Sequence, residues 1–427
     1  MFSIKLVTGL VSALLMTSVA LAGQQTAGSG TDAKPVTSRK PDDSSLRTMI
    51  GQMILVGFTG TSVDAAPVVA VRQKIANGSI GGVMYLSDNV SDRSHVAAMN
   101  TAFAAANSTL PPFISVDEEG GAIARLTAGN GFHEVPAAVN VARNLSPRGA
   151  YELYSGLATE LHEWGFNLNF GPVVDLNVNP ANPIIGKLGR SFSGNPELVA
   201  QYGAAFVRAH RDAGIITTLK HFPGHGSSST DSHKGLADVS GTWSRRELVP
   251  FRKLINAGYA DSVMVGHLYD KSLQKGEAVG PASLSSAIVN GLLRKQLGFA
   301  GVVLSDDLQM GAVEKSYSFT AAVVRAVEAG DDILIFSNHK NPDAELPEKV
   351  IDILMAEAHR NPVVAANIVK SFAKISALKA SLAQRDASKV DLLSTRSIEA
   401  DTGHVLLPAD VEVVRRDVAL TVVGLPG

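Results

Sequence analysis

A chain of 427 residues, 45% hydrophobic and 18% charged, is long and apolar enough to bury a sizeable core, which excludes the disordered and collagen-like classes. Its formal net charge of −2 gives no electrostatic footing for nucleic acid or an anionic membrane, so neither is expected as a partner. With no cysteine, disulfides, thiolate metal sites, cysteine nucleophiles and a lipidated-cysteine anchor are excluded as well.

The first element along the chain is a targeting segment. Lys5 supplies a positive start, Leu6 to Val19 is apolar apart from small or hydroxylated residues, and Ala20-Leu21-Ala22 is a small-x-small cleavage pattern. Residues 1–22 therefore read as a cleaved signal peptide, too short for a membrane span. Residues 23–45, rich in Gly, Ser, Thr, Asp and Pro, read as a flexible tether. The expected destination is periplasmic or secreted, with no stable membrane anchor.

From Leu46 a rhythm sets in of amphipathic stretch, glycine, and short apolar run ending in polar residues. The runs are Met53–Phe58, Gly82–Leu86, Phe113–Asp117, Asn167–Val174, Ile215–Lys220, Ser262–His267, Val302–Asp306 and Asp332–Ser337. Helical patterns separate most of them, among them Pro196–Asp212, Ser244–Asn256, Ser286–Gln296 and Phe319–Ala329. Gly214, Gly258, Gly298 and Gly330 stand where helices should end, because glycine takes the left-handed conformation cheaply. Strands apolar throughout, rather than alternating, indicate a sheet covered on both faces.

Eight such units predict a (β/α)8 TIM-like barrel over residues 46–385, with strict regularity failing near its N-terminal end. The competing doubly wound open sheet collects its polar residues at one switch point. Here Asp117-Glu118-Glu119, Asp175, Lys220-His221, His267 and Asp306-Asp307 close five different strands, which favours the barrel. Asn361-Pro362 starts a further long helix. Residues 386–427 form a C-terminal extension in which Val411–Val423 reads as one or two strands.

The densest chemistry lies in Lys220-His221-Phe222-Pro223-Gly224-His225-Gly226, running on to Asp231-Ser232-His233-Lys234. Pro and Gly stop both helix and strand here, so a loop follows the strand. Burying that many polar groups without partners is costly, which predicts a solvent-accessible functional loop. The histidines lack a zinc-ligand spacing, so no metal is expected. Asp231 and His233 lie two residues apart, where the carboxylate can orient the imidazole for acid/base work. Asp306, closing the strand Val302–Asp306, faces the barrel mouth as a candidate nucleophile, and Asp307 is an N-cap or structural acid.

Both motifs resemble glycoside hydrolase family 3, and Lys-His-Phe-Pro-Gly-His-Gly followed by Asp-Ser-His is similar to its β-N-acetylhexosaminidase branch. The likeness spans roughly Leu46 to Gln384. It takes in Val116-Asp117-Glu118-Glu119-Gly120-Gly121, Gly171-Pro172-Val173-Val174-Asp175, Gly189-Arg190-Ser191-Phe192, Val265-Gly266-His267 and Pro281-Ala282-Ser283-Leu284-Ser285. The resemblance implies a retaining enzyme with Asp306 as nucleophile and His233, coupled to Asp231, as general acid/base. It also implies that Asp117, Arg125, Arg190, Lys220 and His221 hold N-acetylglucosamine in the −1 subsite. No cofactor is implied, and the substrate would be a glycan of peptidoglycan fragments or chitooligosaccharides, taken by a monomer. Two alternatives stay open: a phosphorylase using the same residues, and a non-enzymatic wall-binding barrel.

Overall fold

The structure is a computed structural model that describes residues 41–402. The signal peptide at 1–22, most of the tether and the strand-like stretch Val411–Val423 lie outside the described residues. The helix Asp43–Gln52 opens the described chain, with the Asp42 side chain accepting from the backbone N–H of Ser45 at 2.8 Å. An N-cap of this kind satisfies a donor that the first turn cannot pair internally. Residues 43–45, expected as the end of the tether, are thus the first turn of this helix.

Eight parallel strands close into a barrel in chain order: Ile54–Gly57, Gly82–Tyr85, Phe113–Val116, Leu168–Asn169, Ile216–Phe222, Ser262–Val265, Val302–Asp307 and Ile333–Phe336. The first pairs with the last through Ile54↔Leu334, Leu55↔Ile335 and Val56↔Phe336. Each predicted run coincides with one of them, the fifth and seventh strands extending to Phe222 and Asp307, and all eight are buried along their length except at Asp306 and Asp307, as expected for strands covered by helices outside and packed side chains inside. The largest departure from regularity is the fourth strand. Only Leu168 and Asn169 are laddered there, and contact with the fifth strand resumes at the bridge Val173↔Lys220.

The helix boundaries follow capping chemistry. Pro196–Asp212, Phe319–Ala329 and Pro362–Thr402 begin after Asn195, Ser318 and Asn361, whose side chains accept from Glu197, Ala321 and Val363 N–H groups. Gly214, Gly258, Gly298 and Gly330 all have the positive φ expected of them. Ala287–Gln296, read as an ordinary helix, is wound as a π-helix. The terminal helix continues past residue 385 to Thr402, so the barrel's last helix runs into what reads as the extension. From it Lys379 reaches the N-terminal end of the barrel, where Nζ donates to Gln52 Oε1 at 2.7 Å and the Gly81 carbonyl at 2.8 Å, 4.9 Å from the Phe113 ring centre. Burial lowers this amine to about 7. The helix therefore covers the end of the barrel opposite the C-terminal ends of the strands.

Candidate active site

At the C-terminal ends of the strands lies a cavity of about 340 Å³. Met84, Phe170, Met264 and Ile335 give it an apolar floor, one residue each from the second, fourth, sixth and eighth barrel segments. Asp117, Arg125, Arg190, Lys220, His221, His233 and Asp306 all line it. Asp231 does not line it and acts on it only through His233. Strand-end residues distant in the chain are thus gathered at one mouth, as barrel geometry requires.

One wall is a buried charge network. Lys220 Nζ donates to Asp117 Oδ1 and pairs with Glu119 Oε1, both at 2.7 Å. Arg190 forms a fork on Glu119, with Nε at 2.8 Å and Nη2 at 2.7 Å. Arg125 Nη2 donates to Asp117 Oδ2 at 3.3 Å. Burial pushes both carboxyl groups up, but the Lys220 and Arg125 charges at Asp117, and the Arg190 and Lys220 charges at Glu119, overcome it and hold both below the usual carboxylate range. Burial pulls the Lys220 amine down, and the same two carboxylates raise it above its ordinary value. Lys220 keeps one N–H beyond its two carboxylate partners, and the Arg125 Nε is buried without a hydrogen-bond partner among the described residues.

The hairpin carrying Asp117 and Arg125 is braced from beneath. Glu118 Oε2 accepts from the backbone N–H groups of Arg125 at 2.8 Å and Leu126 at 3.0 Å. Burial pushes Glu118 up to about 8, against those two bonds. It is structural, and it is the middle acid of three.

Asp175, fully buried, organises the next wall. It accepts from His221 Nδ1 at 2.7 Å, from the His221 backbone N–H and from the His225 backbone N–H at 2.7 Å. Arg190 Nη2 lies 3.3 Å from His221 Nε2, and because guanidinium only donates, Nε2 accepts and Nδ1 carries the hydrogen given to Asp175. The peptide bonds Lys220-His221, Phe222-Pro223 and Gly171-Pro172 are cis.

The expectation of a solvent-accessible loop holds for only half of it. Residues 221–228 are buried, while the stretch from Ser229 to Leu236 is largely exposed. Burial is tolerated because other segments satisfy its backbone. Asn182 Nδ2 donates to the His225 carbonyl at 2.8 Å, Asn179 Nδ2 to the Ser228 carbonyl at 3.0 Å, and Glu247 Oε2 accepts from Gly226 N–H at 2.9 Å. In the exposed half, Asp231 Oδ1 accepts from the His233 backbone N–H at 2.9 Å and from Nδ1 at 2.8 Å. That leaves Nε2 of a side chain 60% exposed free to exchange protons.

Asp306 is the penultimate residue of the seventh strand, with Oδ1 accepting from the Asp307 N–H at 2.8 Å. Burial pushes its carboxyl up, but His267, His221 and His233 together with that N–H hold it below the ordinary range, so it is ionised at neutral pH. Asp307 is structural: Oδ1 accepts from Gln309 N–H and Ser337 N–H at 3.0 Å each, and burial raises its carboxyl. His267 Nε2 donates to the Asp307 carbonyl at 2.8 Å, with Ser283 Oγ 2.7 Å from Nδ1, so the backbone beside Asp306 is pinned.

Several contributors carry no assignment from the sequence. Glu119 and Asp175 stand in motifs noted there, yet their role as supports appears only with their partners, 71 and 46 residues away. The outer cavity wall of Gln309, Met310, Glu314, His339, Lys340 and Asn341 also went unassigned, although the polar run after the eighth strand was a usable signal.

Residues 45–375 match the model of the glycosyl hydrolase family 3 N terminal domain. The chain is 36% identical to the beta-hexosaminidase LpqI of Mycobacterium tuberculosis over 315 residues, 70% of this chain and 75% of that one. It is 32% identical to beta-hexosaminidase A of Pseudoalteromonas piscicida over 80% of this chain, and spans only 59% of that relative's length. Among solved structures, a family 3 β-N-acetylglucosaminidase from a Paenibacillus species superposes with a TM-score of 0.72 at 33% identity, covering 87% of this chain and 66% of that one. A β-N-acetylhexosaminidase from Beutenbergia cavernae gives a TM-score of 0.69 at 28% identity and covers 78% of this chain and 98% of that one. With a closed parallel barrel, strand-end acids at one mouth and a family match over most of its length, this chain belongs to glycosyl hydrolase family 3.

Proposed function

We propose that the chain is a retaining exo-β-N-acetylhexosaminidase that releases terminal β-linked N-acetylglucosamine. The observation that carries the reading is one cavity lined by ionised Asp306, by His233 with its Asp231 partner, and by the Asp117, Arg125, Arg190, Lys220 and His221 group. Relatives named beta-hexosaminidase support the same activity.

In this reading Asp306 attacks the anomeric carbon as the glycosidic C–O bond breaks, and His233 Nε2 gives its proton to the departing oxygen. The product is a glycosyl ester on Asp306. Water then attacks the same carbon, His233 Nε2 takes the water proton, and the ester bond to Asp306 breaks with configuration retained overall. Most retaining glycosidases use two carboxyl groups for these roles. A histidine in the acid/base position places no second negative charge beside the ester. Asp231 stabilises the imidazolium formed in the second step, while the Lys220 and Arg125 donors orient the sugar.

The signal-peptide pattern supports an extracytoplasmic substrate, wall fragments or chitooligosaccharides. Mature protein should then begin near Gly23. Turnover of nitrophenyl N-acetyl-β-glucosaminide beside the glucoside and xyloside, with and without phosphate, tests the activity. Preference for the acetamido sugar and release independent of phosphate are expected. A preferred glucoside would overturn the specificity, and phosphate-dependent release of sugar 1-phosphate would make the chain a phosphorylase.

A further inference from the structure

The exposed half of the loop carrying His233 is held on one side by the chain that follows the nucleophile. The turn from Leu308 to Lys315 hangs from the seventh strand, with the Met310 N–H donating to the Asp307 carbonyl at 3.0 Å. Three consecutive carbonyls of the loop dock on it. Ala312 N–H donates to the Ser232 carbonyl at 3.1 Å, Gly311 N–H to the His233 carbonyl at 3.2 Å, and Lys315 Nζ to the Lys234 carbonyl at 2.6 Å. The approach is close enough to require glycine at 311: a Cβ there would lie 2.8 Å from the His233 carbonyl oxygen and 2.9 Å from the Lys234 carbonyl carbon. Apart from these contacts, the exposed half bonds to the buried half through His225 Nε2 with Ser232 Oγ at 3.2 Å and, at its start, through Ser228 Oγ, which donates to the Thr230 carbonyl at 2.9 Å and accepts from the Thr230 N–H at 3.2 Å.

We propose that the Gly311–Lys315 turn is a latch that fixes His233 relative to Asp306, with Gly311 and Lys315 as positioning residues for proton transfer. This rests on His233 being the general acid/base. Asp306 and the latch lie on one continuous segment, five residues apart at Gly311, so the turn sets the separation between the group that attacks and the group that protonates. Neither Gly311 nor Lys315 touches the sugar in this account. Loss of the latch loosens the acid and leaves the nucleophile and the −1 subsite in place. The expected signature is selective damage to substrates that need protonation, since a small misplacement of a proton donor costs rate steeply.

The test measures kcat/KM, which reports the steps through glycosylation, on N,N′-diacetylchitobiose and on 2,4-dinitrophenyl N-acetyl-β-glucosaminide. Lys315→Met, at an exposed position, should lose about fivefold on the disaccharide, the worth of one hydrogen bond, and less than about twofold on the dinitrophenyl substrate. Lys315→Arg should restore the disaccharide rate. Gly311→Ala should lose on the order of a hundredfold on the disaccharide, again sparing the activated substrate. His233→Ala, measured alongside, separates the two ideas. If His233→Ala discriminates between leaving groups and both latch variants do not, the latch is wrong and the acid/base reading stands. If His233→Ala itself loses equally on both substrates, the acid/base reading fails and the latch falls with it.

Discussion

Glu119 bears the heaviest electrostatic duty in the cavity wall without facing the chemistry, so its replacement by glutamine probes the wall most sharply. The substitution keeps the side-chain volume and removes one of two carboxylates serving Lys220 and Arg190, whose side chains are 3% and 6% exposed. Arg190 loses its fork and the amide presents hydrogens towards two buried cations. Breaking a buried pair from one side costs about 3–5 kcal/mol, because the remaining charge is desolvated and uncompensated. Urea unfolding of Glu119→Gln should show an unfolding free energy lowered by that amount, and so a lower midpoint at an unchanged slope, since the surface exposed on unfolding is the same. Because Lys220 and Arg190 shift with it, kcat/KM on the N-acetylglucosaminide should fall by roughly a hundredfold. The control is Glu152→Gln, which breaks the exposed Arg148–Glu152 contact of 3.4 Å and should cost no more than about 0.5 kcal/mol. A Glu119→Gln protein within about 1 kcal/mol of the parent and with full activity would refute the assignment of this network as the support of the −1 wall.

His233→Ala should lose about two to four orders of magnitude on disaccharides but far less on dinitrophenyl substrates in the glycosylation step, and Asp231→Asn should shift the profile the same way. Glu247, pushed up to about 8 by burial, keeps a proton in the folded state that the unfolded chain gives up near the usual glutamate value of about 4.3. Its contribution is complete below that lower value and is lost as pH rises towards 8. His225, lowered to about 4 by burial and the neighbouring His221, works oppositely, adding stability as pH rises towards about 6.5. Glu247→Gln should therefore flatten the fall in stability between about pH 6.5 and 8, at a slope of at most about 1.4 kcal/mol per pH unit, while Glu118, also near 8, leaves a residual slope. An unchanged slope in urea titrations of Glu247→Gln across that window would contradict its buried, protonated state.

The barrel was legible because both faces of its strands are covered, which makes runs such as Val302–Leu304 and Ile333–Phe336 apolar throughout. Helix ends were legible where capping is local, as at Asn195-Pro196 and Gly214. The candidate site was legible to the extent that its side chains sit directly at strand ends or within a two-residue reach, as with Asp306 and the Asp231–His233 pair. Roles fixed by long-range pairing were not. Among Asp117, Glu118 and Glu119, the hairpin decides that the first faces the cavity, the second braces backbone and the third carries Arg190. Nothing local distinguishes three neighbouring acids. The buried half of the glycine-rich loop was misjudged for the same reason, since Asn182 and Glu247 satisfy its backbone from other segments.

The central claim is that Asp306 forms a covalent bond to the sugar. With 2-acetamido-2-deoxy-5-fluoro-β-glucosyl fluoride the ring fluorine slows both steps and the fluoride leaving group speeds the first, so the glycosyl-enzyme accumulates, after which peptic digestion and mass spectrometry locate the adduct. The account predicts a glycosylated peptide containing Ser305-Asp306-Asp307 with the sugar on Asp306, and no adduct in Asp306→Asn. An adduct on any other residue, or rapid turnover that leaves no covalent species while retaining configuration, would contradict it.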